Sequence, residues 1–396
     1  MVLNIVAKIA TIIAHLSVAI LLNPISVGMI NHINSIVALS SYLNFAGLMD
    51  LGFGGKASVG VGKLHKFALI GNSLGCVLLM LIALLCISKG ENDILTPVIL
   101  GFMQLPLYAF NIIGQYKIKR ESRFVYLAFT ACIQSFVFSV SYLLSVVCGL
   151  GIYSIIIGGY LQIIAGVLLF NYGGQKGASF TSEIESSDQG ISRPKRFRLY
   201  LLHMIYVGSN VVMFQVPILM AGWFLKPEDL GIYSFSLLIA SQSFMMISYF
   251  SRNILLPKFS SETNASSISL ESDAKMKARF HYFNIASAIA SSILLYFLIP
   301  VIFGNKWADA ALISSILSIG FLFMGNKVVC DARMMAAGLF ERNAIFSLGV
   351  NAFLIVVIGA TAVVCDGLVQ LSIATSVAFL IVSIFYGQKS LKLFEV

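Results

Sequence analysis

The chain has 396 residues, of which 58% are hydrophobic and only 11% are charged, and its formal net charge is +9. Because a soluble protein carries about 25% charged residues, this composition excludes a mainly water-facing surface and indicates that lipid surrounds most of the protein. The apolar runs are long and do not alternate with polar residues, which excludes a membrane β-barrel and leaves helices as the spanning elements.

Twelve apolar segments, each about as long as a membrane-spanning helix, follow one another along the chain. They are Leu3–Leu22, Ile33–Gly62, Phe67–Ile87, Ile94–Tyr116, Phe124–Val147, Ile152–Tyr172, Leu199–Phe224, Leu230–Leu256, Phe280–Phe303, Ala308–Val328, Ala344–Val364 and Leu368–Gly387. We therefore predict an all-α polytopic membrane protein with about twelve transmembrane helices in two six-helix lobes.

The two predicted lobes are separated by a polar stretch, Gly173–Arg198, which is rich in Gly and Ser, then acidic, then basic. This composition cannot bury enough apolar surface to fold alone, and it is typical of a solvated linker. We predict an N-terminal lobe over residues 1–172, a cytoplasmic linker over residues 173–198 and a C-terminal lobe over residues 199–396.

Basic residues are concentrated on one side of the predicted topology. The loops after even-numbered helices, the linker and the two termini hold 20 of the 26 Lys and Arg residues, whereas the opposite loops hold three, Lys89, Lys226 and Lys306. The positive-inside rule places the basic side, with both termini, in the cytoplasm. The positive charge is thus a topology signal, and we predict no nucleic-acid partner.

A short internal repeat precedes the second helix of each predicted lobe. Pro24 and Gly28 recur 203 residues later as Pro227 and Gly231. Together with the division into six and six helices, this spacing predicts two parallel repeats related by an axis along the membrane normal.

Chemical motifs of enzymes are missing from the sequence. It has no HExxH, no GxSxG and no paired carboxylates, and its six cysteines are scattered singly. The stretch Gly52–Ser58 superficially resembles a phosphate-binding loop, but Asp50 stands at the position of the first glycine and Ala57 at that of the Ser or Thr. We predict no catalytic residue, no metal site and no cofactor.

Ionisable residues inside membrane helices are candidates for function, and here they are His15, Asp50, Lys56 and Arg252. His15 either packs between helices or carries a proton. Lys56, like Lys327, either binds substrate or extends into the lipid headgroups. Asp50 and Arg252 lie near the cytoplasmic ends of equivalent helices, where they either form a latch between the lobes or serve separately as a backbone cap and a headgroup contact.

A belt of amide side chains lies at mid-depth in the predicted spans. Its members are Asn44, Gln104, Gln134, Gln162, Asn210 and Gln242. One interpretation is hydrogen bonding between helices. The other is a cavity whose donors and acceptors match sugar hydroxyls, so these residues join the candidate transport path.

The segment Tyr42–Gly54, YLNFAGLMDLGFG, resembles the Gly-x-x-x-Leu-x-Asp-Leu-Gly-hydrophobic-Gly region of Wzx-type O-antigen and polysaccharide flippases. These flippases belong to the multidrug/oligosaccharidyl-lipid/polysaccharide (MOP) exporter superfamily. Lys56 departs from the family, which usually carries an arginine-bearing stretch after this motif. The resemblance implies translocation of undecaprenyl-diphosphate-linked oligosaccharide, such as an O-antigen repeat unit, from the cytoplasmic to the periplasmic leaflet of the bacterial inner membrane.

The implied partners are the lipid-linked oligosaccharide, the lipid bilayer, a glycan polymerase and a chain-length regulator. Two alternatives stay open, a MATE-like multidrug exporter and a membrane-embedded glycan polymerase. A polymerase is expected to carry a sizeable outside loop with catalytic residues, whereas the predicted outside loops have about ten residues or fewer.

Overall fold

A computed structural model describes residues 2–42, 92–120, 123–175, 211–242, 270–336, 339–365 and 367–392, with the positions 73, 75–77, 80, 81, 84, 202 and 244. Regular structure over these residues is helical, and they include no β-strand. Seven described helices are long and apolar enough to cross a membrane. The predicted fold class, an all-α polytopic membrane protein, is confirmed.

The chain divides into two compact units, Met1–Gln215 and Val216–Val396. Most of the predicted linker lies outside the described residues, so the lobe boundaries at 173 and 198 stay a prediction.

The described part of the first unit is helical. Its helices are α1 (Val2–Leu21), α2 (Pro24–Tyr42), α3 (Asn92–Arg120), α4 (Phe124–Val147) and α5 (Ser154–Gln175), with a 3-10 turn at Gly151–Tyr153. Helix α4 packs against both α1 and α5, and α3 packs against α2 and α5. Ala14, Ile33 and Tyr142 belong to the apolar core that these helices enclose.

The second unit contains helical residues at 216–224 and 227–242 and a further set of labelled helices. These are α6 (Leu270–Phe303), α7 (Ala308–Phe323), α8 (Gly325–Ala336), α9 (Phe340–Val364) and α10 (Leu368–Lys392). Helix α10 packs against α7, α8 and α9, and α7 also packs against α6. Trp307 is fully buried at the start of α7, where its ring lies 4.2 Å from that of Phe235.

The outer surfaces of the spanning helices carry large apolar side chains. Val125 on α4 is 80% exposed and Val301 on α6 is 81% exposed. An aliphatic surface of this kind is costly in water and is suited to the acyl chains of a bilayer. The described part of the protein is therefore a multi-pass membrane protein.

Helix α2 begins earlier than the sequence prediction, which placed its start at Ile33. In the structure the helix begins at Pro24, and the Asn23 side chain accepts a hydrogen bond from the Ser26 backbone N–H at 2.9 Å. Asn is a favoured N-cap, and proline at the first helical position loses no hydrogen bond. The predicted start was wrong because it was set by apolar content, whereas this helix begins at a cap.

The same helix start recurs in the second unit, where the helical stretch begins at 227 rather than at Leu230 as predicted. Corresponding backbone hydrogen bonds are 203 residues apart in the two units. In the first pair, Leu22 N donates to Val18 O at 2.9 Å and Leu225 N donates to Ala221 O at 2.8 Å. In the second pair, Val27 N donates to Asn23 O at 3.2 Å and Leu230 N donates to Lys226 O at 2.9 Å. The repeat spacing seen in the sequence therefore marks the same local backbone structure twice.

The predicted span Ala308–Val328 is broken in the structure. Helix α7 ends at Phe323 and α8 begins at Gly325, with Met324 N bonding to Phe321 O at 3.1 Å instead of continuing the regular α-helical ladder. Helix α8 continues to Ala336, beyond Val328, the predicted end of the span. This extension brings Asp331 onto the same helix as Lys327.

Candidate functional site

Two predicted amides of the first unit form hydrogen bonds between helices. Gln104 on α3 donates through Nε2 to the Ile156 backbone oxygen of α5 at 2.8 Å. Gln134 on α4 donates through Nε2 to Asn111 Oδ1 of α3 at 3.1 Å. Both glutamines are buried, so their observed contacts are those of helix packing, and their place in a transport path stays a prediction.

His15 lies on α1 against two aromatic rings of α4. Its ring centroid is 5.9 Å from that of Phe138 and 5.4 Å from that of Tyr142. These contacts agree with the packing interpretation of His15. Gln162 on α5 and Gln242 at the end of the stretch 227–242 are half-buried.

The remaining predicted site residues lie outside the described residues. They are Asn44, Asp50, Lys56, Asn210 and Arg252. The latch between Asp50 and Arg252 therefore stays a prediction, as does the role of Lys56.

A buried ion pair, which the sequence did not predict, lies on α8. Lys327 Nζ is 2.5 Å from Asp331 Oδ2, and the two residues are 5% and 8% exposed. The Lys327 amine also lies 5.5 Å from the centroid of the Tyr386 ring on α10, a distance typical of a cation–π contact. The expectation that Lys327 extends into the headgroups is wrong, because a carboxylate one helical turn away holds the amine inside the unit.

This ion pair is linked to a third helix. The Tyr386 hydroxyl lies 3.2 Å from the Ser347 hydroxyl of α9. The polar contacts therefore connect α8, α9 and α10 where the core would otherwise be apolar. Asp331 Oδ1 is buried without a hydrogen-bond partner, so this carboxylate relies on Lys327 for the compensation of its charge.

A small pocket with a cavity volume of about 20 Å³, the room of one water molecule, lies in the second unit beside Phe244, α6 and α7. Its polar lining comes from Asn284, Ser287 and Ser291 of α6 and from Ser318 of α7. Asn284 is 4% exposed, and neither its Oδ1 nor its Nδ2 has a hydrogen-bond partner. A buried polar group without a partner costs about 1–3 kcal/mol, so this amide lowers the stability of the second unit by an amount of that order.

The electrostatic character of the described interior is nearly neutral apart from the ion pair. The buried polar groups are mainly hydroxyls and amides, and no three His, Cys, Asp or Glu residues converge on a metal-sized space in the parts of the chain described above. Such groups can bind uncharged donors and acceptors, as sugars carry. The serines and amides were too numerous in the sequence for Asn284 to be singled out, although its spacing from Ser287 and Ser291 places the three on one helix face.

Comparisons with known proteins agree on the fold. The structure matches that of the lipid II flippase MurJ in an inward closed conformation with a TM-score of 0.70 at 14% identity, covering 99% of this chain and 88% of that chain. A mutant of the Vibrio cholerae MATE transporter VcmN gives a TM-score of 0.56 at 13% identity, covering 99% of this chain and 94% of that chain. A MATE protein in the bent conformation gives a TM-score of 0.54 at 13% identity, covering 98% of this chain and 92% of that chain.

At the level of sequence, comparison with curated proteins found no significant match. A family model described as polysaccharide biosynthesis protein matches residues 17–312, which is more than half of the chain. This family match shows that the chain belongs to the polysaccharide biosynthesis protein family.

Proposed function

We propose that this protein is a flippase that moves undecaprenyl-diphosphate-linked oligosaccharide from the cytoplasmic to the periplasmic leaflet of a bacterial inner membrane. The family match over residues 17–312 is the observation that carries the proposal. The fold similarity to a lipid II flippase over 99% of the chain supports it. The lipid-linked substrate, the direction of its transport and the location in the inner membrane belong to this proposal, and the experiments below test it.

The physical task of such a flippase is to carry a charged, hydrated headgroup across hydrocarbon. An isolated charge in that environment is very costly, whereas a polar path inside the protein removes most of the cost and leaves the lipid tail in the bilayer. Alternating access, as known for transporters built from repeats, opens such a path to one side at a time. With a negative cytoplasm, outward movement of each uncompensated negative charge gains about 2.3 kcal/mol per 100 mV.

The proposed path includes the candidate residues named from the sequence. Arg252 and Lys56 supply positive charge for the diphosphate, and arginine is suited to this because its planar guanidinium binds phosphate oxygens in pairs. Asp50 would hold Arg252 while the path is closed. The buried amides would bind sugar hydroxyls where they are not used between helices.

Loss of the protein is expected to stop surface glycan assembly while cytoplasmic synthesis of the sugar-lipid continues. Inverted membrane vesicles should move lipid-linked oligosaccharide to the lumenal leaflet only when the protein is present. Vesicles from the deletion strain are the control. Normal surface glycan in a deletion strain that has no second flippase would overturn the proposal.

A multidrug exporter is the rival function, because the fold also matches MATE proteins with TM-scores of 0.56 and 0.54. The two functions differ in their cargo. Drug export predicts that deletion raises intracellular accumulation of cationic dyes and leaves surface glycan unchanged. The proposed flippase function predicts that deletion leaves dye accumulation unchanged and stops surface glycan assembly.

Both termini and the linker are expected to lie in the cytoplasm, because the loops assigned to that side carry 20 of the 26 basic residues. Reporter fusions after Ser187 and after Glu395 should behave as cytoplasmic, and a fusion in the predicted outer loop at Lys306 serves as the control for the opposite side. A periplasmic signal at Ser187 would contradict the division into two six-helix lobes.

A further inference from the structure

The tenth predicted span contains a tight turn in its middle. The candidate span Asn305–Asp331 includes the break between α7 and α8, where Met324 N donates to Phe321 O at 3.1 Å and Lys327 N donates to Met324 O at 3.1 Å. Both bonds join residues that are three apart, which is the pattern of a 3-10 helix. A 3-10 turn in the middle of a helix often marks a functional hinge.

The residue after this turn is a glycine whose missing side chain is required by a neighbouring helix. A Cβ atom at Gly325, the first residue of α8, would collide with Asn284 Nδ2 of α6. Glycine also has the widest choice of backbone dihedral angles, and it weakens a helix relative to alanine. The backbone is therefore least constrained at the point where α7 and α8 join.

Polar groups without partners lie beside the turn. The Asn284 side chain is 4% exposed, and neither of its polar atoms has a hydrogen-bond partner; the buried hydroxyl of Ser318 on α7 has none either. Asn284 and Ser318 line the same water-sized space, together with Phe321 and Leu322 at the end of α7. These polar groups would gain hydrogen bonds in a state that turns backbone groups of the break toward them.

Helix α8 carries the buried ion pair of the second unit. Lys327 and Asp331 are one turn apart on this helix, so a tilt of α8 moves both charges together and leaves the pair intact. A tilt would break the contact between the Lys327 amine and the Tyr386 ring of α10. Hydration of the pair offsets this loss, because burial removes the water that solvates two charges. The charges therefore do not lock α8 in one position.

Apolar packing opposes a tilt of α8. Val328, Val329, Cys330 and Met334 of this helix are all less than one-tenth exposed. Their burial favours the observed position, so a tilted state is the minor one. Among them the Cys330 thiol is 2% exposed, so it would react with a dissolved reagent only while α8 is displaced.

We propose that α8 is a hinged half-helix that tilts about Gly325 and carries the ion pair of Lys327 and Asp331 between a buried and a hydrated position. In the tilted position, Asn284 and Ser318 bond backbone groups that the turn releases. By the predicted topology α8 forms the cytoplasmic half of its span, so the tilt opens that half to water. The inference goes beyond the proposed function, because it does not depend on the cargo.

The test uses the Cys330 thiol as a reporter in the full-length protein in proteoliposomes. One variant keeps Cys330 as its single cysteine, and another keeps Cys148, which is exposed at the end of α4. The rate of labelling by the membrane-permeable reagent N-ethylmaleimide is measured for both. We expect Cys330 to be labelled completely but at least about tenfold more slowly than Cys148, since local opening limits its reaction.

The double variant Asn284→Ala with Gly325→Ala replaces the hinge glycine without a collision. Alanine restricts the backbone and strengthens the helix, so labelling of Cys330 should fall at least about fivefold while labelling of Cys148 is unchanged. Gly349→Ala on α9 is the matched control, because a Cβ atom there meets no atom within 4 Å. It should leave the labelling of Cys330 at the native rate.

Asn284→Leu is a milder change that decides the outcome if the double variant does not fold. It keeps the size of the side chain but cannot bond the released backbone groups, so labelling of Cys330 should fall several-fold. The hinge is overturned if Cys330 is not labelled in the folded protein, if both hinge variants keep the native rate, or if Gly349→Ala lowers the rate equally. Labelling needs no substrate, so a failure of the proposed function leaves this test intact.

Discussion

Replacing Lys327 by methionine is expected to destabilise the protein by about 3–5 kcal/mol, because it leaves the Asp331 carboxylate buried without compensation. The amine is 2.5 Å from Asp331 Oδ2, and both residues are less than one-tenth exposed. Methionine keeps the length of the side chain and can still pack against the Tyr386 ring. The loss should therefore come from the charge and not from a cavity.

The measurement is the fraction of detergent-solubilised protein that stays monodisperse after heating. Asp331→Asn alone should also destabilise, since it removes the carboxylate that balances the buried amine, whereas the double variant with Lys327→Met should recover most of the loss. Lys226→Met removes an exposed lysine in the same unit and should change stability by less than about 0.5 kcal/mol. If the Lys327→Met and Lys226→Met variants lose monodispersity at the same temperature, the ion pair does not contribute to stability as expected.

Gly320→Ala is expected to destabilise the protein by about 1–3 kcal/mol through overpacking. A Cβ atom on Gly320 of α7 would lie 2.6 Å from Ser376 Oγ and 2.8 Å from Ser376 Cα on α10. Small residues let membrane helices approach closely, and here the backbone of α10 itself occupies the space. The two helices would have to separate, which also strains the 3.0 Å hydrogen bond from Ser376 Oγ to Ile316 O.

Gly349 on α9 provides a matched control, because a Cβ atom there meets no atom within 4 Å. Gly349→Ala should be neutral or stabilising by about 0.4–1 kcal/mol, since alanine lowers the entropy of the unfolded chain. Adding Ser376→Ala to Gly320→Ala should not restore stability, because the backbone of residue 376 would still collide with the new methyl group. Full rescue by that second change would show that only the hydroxyl was in the way.

Helix bounds could be predicted where an apolar run ends sharply. The span Phe124–Val147 was predicted with the bounds that α4 has, since Arg123 precedes it and a turn with Gly149 follows it. The same reasoning placed the end of α6 at Phe303, but it missed the start of α6, which lies ten residues before the predicted Phe280. An apolar window cannot detect a polar helical extension, although Glu271 and Lys275 have the i,i+4 spacing that favours one.

The candidate site could be predicted only in part, because burial and pairing depend on tertiary structure. Lys327 is visible in the sequence as a cation in an apolar segment, but Asp331 lies beyond Val328, the predicted end of that span. Gln104 and Gln134 were named as amides at mid-depth in the spans, whereas their partners, a backbone oxygen of Ile156 and the side chain of Asn111, lie on other helices. Sequence spacing alone does not identify such partners.

The arrangement of Lys327 and Asp331 on one helix has a consequence for the biogenesis of the protein. A single charge in a nascent membrane helix opposes its insertion by about 2.5–3.5 kcal/mol. Two opposite charges four residues apart on α8 can neutralise each other as soon as that helix forms, before any other helix is present. The pair would then enter the translocation machinery as a nearly neutral unit, whereas Lys327→Met or Asp331→Asn would each leave one of the two charges without its neighbour.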